Sequence, residues 1–272
     1  MTTPGPNWSP HTDLGDWLAS RLTDWIGADA TVVTSLVPGE YEAYARVLHP
    51  VEASSHGQPS TTWAEVCAAT GRTAHPLMQW QVISGTRHTR RTTTRDWQDG
   101  EPEAGTLEPT ALAATLDVLS GWTAPGAECV MALWDGYGWV DGRGAALYGP
   151  AGTVELAPAY PRDVLDGPRL HLPGREYLLF TGPLASAGHL GRRVPALVTG
   201  DEGTWLWRQS PNLLWPSDHS WCLATEVDLD STVVGGPAAL VDALLASPAL
   251  EAHAVPPDGD LSFAGDHVNP SP

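Results

Sequence analysis

From Glu128 onward the chain breaks into short extended runs, ECVMALW, AALYG, EYLLFTG, ALVTG, TWLWRQ and WCLATEVDL, with Gly, Pro, Asp and Ser turns between them. Runs this short and this closely spaced leave no room for regular strand–helix alternation. They predict a mainly antiparallel sheet. Upstream, TVVTSL and EYEAYARVLH read as two strands joined by Val-Pro-Gly, LMQWQVIS as a further strand, and PALEAHAV near the end as an edge strand.

Four segments carry the helical period instead. Leu14, Trp17, Leu18, Leu22, Trp25 and Ile26 recur at helical spacing before Gly27. Thr62 and Glu65 form a capping box at the head of a segment that Gly71 closes. Leu112, Leu116 and Leu119 mark a third helix, and Pro237 starts a fourth that runs to about Ala246. The fold class is therefore α+β, an antiparallel or mixed sheet with about four helices, in one domain over residues 1–256. Residues 85–105, with Arg87, Arg90, Arg91 and Arg95, have no apolar period and read as an exposed loop. Residues 257–272 are rich in Pro, Gly and Asp and are expected to be a disordered acidic tail.

Charge narrows the partners. The chain has no lysine, and 14 arginines face 32 acids for a formal charge of −18. After Ala196, Arg208 is the only base among eleven acids. Phosphate contacts require Lys and Arg, so direct binding to nucleic acid or to an anionic membrane is disfavoured. No run approaches a membrane span, and no basic-then-apolar leader opens the sequence. A cytoplasmic protein is expected. Cys67, Cys129 and Cys222 are far apart and read as buried free thiols.

The stretch TEVDLDSTVVGG resembles the phosphoryl-transfer motif of the haloacid dehalogenase family through Asp228, Asp230 and Thr232. That resemblance implies an aspartyl phosphate, a magnesium ion and a basic residue downstream. Only 40 residues follow Thr232, and none is Lys or Arg. A plain strand over 221–229 accounts for the same residues. It turns Trp221, Leu223, Thr225, Val227 and Leu229 to the core and Cys222, Ala224, Glu226, Asp228 and Asp230 to the other face. Three carboxylates in a row there repel one another unless they meet water, a metal ion such as calcium or magnesium, or an arginine, with water the default.

Other chemistries find less. His219 and Cys222 have no second pair to complete a zinc site, and no H-E-x-x-H occurs. Gly136-x-Gly138 lacks the third glycine of a dinucleotide loop, and the residues after it predict a hairpin or irregular turn rather than a helix. The G-x-S-x-G elbow, the P-loop and the lysine of a Schiff base are all absent. No cofactor and no metal is expected. Thirteen tryptophans beside two phenylalanines must fill much of the core, while an exposed cluster of them would suit a sugar or a protein partner.

The block SPNLLWPSDHSWCLATEVDLDSTVVGG, with CVMALWDGYGWVDG and REYLLFTGPL upstream, resembles an uncharacterised family of actinobacterial proteins over residues 105–255. The likeness implies no activity. The order of a helix, a strand and a Gly-Tyr-Gly turn is similar to the α+β immunity proteins of the SUKH type. The leading expectation is a non-catalytic protein of immunity or antitoxin type that binds a protein with a basic surface. Its contact residues are expected to be Glu226, Asp228, Asp230, Asp218 and Trp215. The alternatives are a metal-dependent phosphatase or hydrolase using Asp228 and Asp230, and a Trp-based carbohydrate-binding module.

Overall fold

A computed structural model describes residues 5–22, 31–52, 60–88, 92–143, 146–149, 152–155, 157–195 and 204–270. Nine strands form the central sheet. They are β1 (Asn7–Ser9), β2 (Ala43–Leu48), β3 (Cys129–Trp134), β4 (Leu170–Leu172), β5 (Arg175–Gly182), β6 (Leu213–Pro216), β7 (Cys222–Thr225), β8 (Ser231–Gly236) and β9 (Ala252–Ala254). Their order is β1-β5-β3-β6-β7-β8-β2-β9, with β4 also on the outer side of β5, and every pairing is antiparallel. The α+β class with a mainly antiparallel sheet is as the sequence indicates, and β9 is the edge strand expected there.

The helices of two turns or more are α1 (Trp63–Thr70), α2 (Pro109–Ser120) and α3 (Ala238–Leu245). In α1 the capping box is formed, Thr62 Oγ1 accepting from the Glu65 amide, and Gly71 ends the helix at φ +71°. No helix among the described residues is long and apolar enough to cross a membrane.

Both faces of the sheet are covered. Met131, Leu178, Leu214, Leu223 and Val234 point to the side of α2 and α3, with the 3-10 turn Leu184–His189 beside them. Val130, Leu179, Trp215, Cys222 and Val233 point the other way, against Leu18, Val33, Val37, Val255 and Leu261. A third cluster joins Trp63, Val66 and Cys67 of α1 to Met78, Trp80 and Ile83. All three cysteines are buried free thiols.

The first helix expected before Gly27 is, among the described residues, a 3-10 turn at Thr12–Gly15 followed by one helical turn at Asp16–Ala19. Five further local expectations are corrected. TVVTSL forms a 3-10 turn at Val33–Ser35 rather than a strand, its edge closed by the Val32–Asp260 bridge. LMQWQVIS forms a single helical turn, Trp80–Ile83, because Trp80 and Ile83 must meet α1 from one side. Gly138–Asp141 is also a helical turn, where a hairpin or irregular turn was expected. The arginine segment carries the short pairs Arg87–His88 with Thr93–Thr94 and Val51–Glu52 with Glu101–Pro102; Arg90 and Arg91 lie outside the described residues, as do Trp25, Ile26 and ALVTG.

The fifth correction concerns the tail. Its described part, 257–270, is packed rather than disordered. Leu261 is buried, its amide donates to the Thr31 carbonyl, and Asp266 accepts at 2.8 Å from His75 Nε2. Asn269 makes two bonds with Thr73. Polar residues hold this segment by hydrogen bonding where apolar content is low, which a composition argument does not register.

Candidate functional site

The expected carboxylate row is dispersed. Strand β7 stops at Thr225, residues 226–230 turn, and β8 begins at Ser231. Cys222 and Ala224, assigned to an open face, are buried because the sheet is covered on both sides. Glu226 is buried and accepts from Arg175 Nε at 3.1 Å and Nη2 at 2.6 Å, while the same Nη2 donates to the exposed Asp228 at 2.7 Å. Asp230 faces Arg46 instead, at 3.7 Å. Desolvation raises the pKa of Glu226 above the usual carboxylate range, against the pull of Arg175. Burial likewise raises Asp230, against Arg46.

Beneath the turn lies a closed polar network. Thr232, the third member of the Asp228-x-Asp230-x-Thr232 motif, bonds Thr225 at 2.8 Å and His49 Nε2 at 3.0 Å. Asn212 donates to the Thr225 carbonyl and to the Tyr137 hydroxyl. Tyr137 and Gln209 both donate to the Gly105 carbonyl. Gly105 is needed there, since at φ +76° a Cβ would stand 2.6 Å from the Val227 carbonyl oxygen. The void at Asn212 and Glu226 is about 20 Å³, room for water and nothing larger. These groups fasten the turn to the sheet. Among the described residues no group of three or more His, Cys, Asp or Glu side chains could hold a metal ion.

The other two predicted residues lead to the surface. Trp215 on β6 is fully buried, and its ring meets the edge of Trp17 with centroids 6.0 Å apart. Asp218 is exposed and folds the following turn by accepting from the Ser220 amide and hydroxyl. Between β6 and β7, His219 adopts φ +55°, the only positive φ among the described non-glycine residues. A side chain in that region costs about 1–2 kcal/mol. The conformation lays the imidazole flat on Trp17, with centroids 4.1 Å apart and planes 11° from parallel. It also aims the His219 carbonyl at the Tyr41 hydroxyl, which donates at 3.1 Å.

A cavity of about 270 Å³ opens beside this stack, lined by Trp17, Arg21, Pro38, Glu40, Tyr41 and His219. Arg21 lies over the Trp17 ring at 5.8 Å and pairs with Glu40 at 3.3 Å. Burial first, then Arg21, lowers the pKa of His219, so its ring is uncharged at neutral pH. Trp17 and Trp215 each bury an indole N–H without an acceptor, which costs about 1–3 kcal/mol apiece. This corner therefore combines a strained backbone, two unsatisfied donors and an open aromatic cavity. Sequence reasoning reached Asp218 and Trp215, placed Trp17 in a helical stripe and weighed His219 as a zinc ligand, but it missed Tyr41 and the meeting of these residues, because no local pattern joins Trp17 and Tyr41 to a turn near residue 219. Comparison with protein-family models, with curated proteins and with solved structures finds no match for the chain.

Proposed function

We propose that the protein is a non-catalytic cytoplasmic binding protein, of immunity or antitoxin type, that docks a partner with a basic surface at the Trp17–Tyr41–His219 cradle. The observation that carries this reading is the left-handed His219, whose ring stacks on Trp17 and whose carbonyl accepts the bond from Tyr41. The His219 amide also donates to the Pro216 carbonyl at 3.0 Å, so the same conformation closes the β6–β7 turn and presents the ring to the cavity. The chemistry of the cavity suits a cation. The chain's own Arg21 occupies one side of it, over an indole face and against a carboxylate, which is the environment a partner's Arg or Lys would need. A neutral His219 does not repel such a group, the exposed Asp218 nearby adds attraction, and Glu40 can take a partner's cation in exchange for Arg21.

The carboxylates first expected to make this contact are engaged within the molecule, Glu226 and Asp228 by Arg175 and Asp230 by Arg46. The phosphatase reading draws no support from that arrangement, since the two aspartates of the motif are held by different arginines and Thr232 is buried in the network. Affinity capture from the source cell tests the binding reading, with native protein at low and high salt beside Glu40→Gln/Asp218→Asn and His219→Gly variants. A partner held by the native chain, released by salt and weakened at least about tenfold by either variant is the expected result, since a buried-rim cation contact contributes more than about 1.4 kcal/mol. A partner that binds all three forms alike and ignores salt overturns it.

A further inference from the structure

A second concavity, remote in character from the first, lies between α2 and the 3-10 turn Leu184–His189. It encloses about 520 Å³, within the range of small-molecule sites. Leu112, Leu116 and Leu184 form its floor and are already buried, so the groove is a pocket in the molecular surface rather than a bare apolar face. Ala113, Ala185 and Gly188 form the walls, and their small size keeps it open. A Cβ at Gly188 would reach to 3.9 Å from Leu116 Cδ1, an ordinary contact that begins to fill the space.

One cation stands at this pocket. Arg208 reaches it because the 3-10 turn runs directly into the strand Gly191–Pro195, whose antiparallel partner Thr204–Arg208 places Arg208 opposite Gly191. Gly191 permits that join at φ +134°, where a Cβ would meet the Trp207 carbonyl oxygen at 2.1 Å. Seven arginines, at positions 21, 46, 87, 95, 143, 169 and 175, pair with acids of the chain. Arg208 makes no ion pair among the described residues. An arginine without an ion pair among the described residues, lining a mainly apolar pocket in a chain of net charge −18, marks where an anion is favoured against the general field.

We propose that this groove binds a small amphiphilic carboxylate, its apolar body on Leu112, Leu116 and Leu184 and its head group on Arg208. Asp117 on the rim repels a carboxylate beside it and so fixes the head at Arg208. The field of the whole molecule makes the claim sharp. Non-specific apolar adsorption to so acidic a protein favours a cationic amphiphile over a neutral one and a neutral one over an anion, so the reverse order requires a local site.

Calorimetric titration with decanoate, decanol and decyltrimethylammonium, each below its micellar concentration, tests this. Decanoate is expected to bind at least about tenfold more tightly than either of the others, the difference one charge-assisted contact supplies. Arg208→Gln should reduce decanoate to the level of decanol, and Arg162→Gln should leave it unchanged. Ala113→Trp, on the exposed side of α2, should abolish binding of decanoate while circular dichroism stays native, and Ala185→Trp repeats that block from the opposite wall. The proposal is overturned if decanoate gives no heat, if it binds no better than decanol, or if it binds both tryptophan variants as well as the native chain.

Discussion

Arg46 carries a guanidinium into the interior and leaves it almost wholly out of water. Its donors are used on the Ser231 hydroxyl at 2.9 Å and the Pro76 and Met78 carbonyls at 3.2 and 2.8 Å, with Asp230 as counter-ion and the Trp63 ring at 5.5 Å. Desolvation lowers its pKa to about 10, so it stays charged at neutral pH. Removing it strands Asp230 and two carbonyls, and Arg46→Ala is expected to cost about 3–5 kcal/mol in urea unfolding, while Arg46→Met/Asp230→Asn recovers part of that loss. A second buried base titrates within reach. Desolvation lowers His49 from 6.5 to about 4, against the bond to the Glu103 carbonyl, with Arg46 adding to the fall. The unfolded chain then takes up a proton below pH 6.5 that the folded chain refuses until about 4. The stability this neutral imidazole contributes is complete above pH 6.5 and declines as pH falls to 4, by about 3 kcal/mol in all. Glu226, Asp230 and Glu251 have raised values and act in the opposite sense, gaining stability as pH falls. The difference between native protein and His49→Gln isolates the imidazole: the native-minus-variant stability should shrink on acidification, and a pH-independent difference would refute the assignment.

The C-terminal segment is the element whose role differs most from its composition. Truncation after Pro256 removes the buried Leu261 and the Asp266 bonds to His75 and Asn269, and opens the side of the sheet that carries Val33 and Val255. A loss of about 3 kcal/mol or more in the urea midpoint is expected, from one buried leucine and several hydrogen bonds. A truncated chain as stable as the whole one would restore the disordered tail. Helices α1, α2 and α3 are legible in the sequence because caps and period agree within each, as Thr62, Glu65 and Gly71 do for α1. The strands at Cys129, Arg175 and Thr204 are legible for the same local reason, short apolar runs between turn residues. Trp80–Ile83 is not legible, because a four-residue apolar run has no period and its state is set by Trp63 and Val66 on another element. The break of β7 at Thr225 is hidden likewise, since Glu226 is drawn inward by Arg175, 51 positions away. The cradle is legible only through two neighbours of His219, Trp215 on β6 and Asp218 in the turn after it. Its depth depends on Trp17 and Tyr41 arriving from the other end of the chain.

At the scale of the whole molecule, the same excess of negative charge acts on folding and on association with opposite signs of salt dependence. The formal charge of −18 sets many acids against one another in the compact state, and seven arginines among the described residues are each paired with an acid. Exposed ion pairs such as Arg87–Asp96 contribute little, so screening them loses little. Screening the net repulsion gains more, because that term sums over the whole surface and the Debye length falls to about 10 Å at 0.1 M salt. The thermal midpoint is therefore expected to rise by several degrees between about 0.01 M and 0.5 M sodium chloride, where the Debye length drops from roughly 30 Å to a few ångströms. Docking of a basic partner at the cradle should weaken over the same range, since there the long-range field is attractive. Measuring both on one preparation separates the two effects. A midpoint that falls with salt would mean that specific pairs, not the net charge, dominate the electrostatics of the fold. The loss of partner binding in salt would then have to be read as partial unfolding rather than as screening at the cradle.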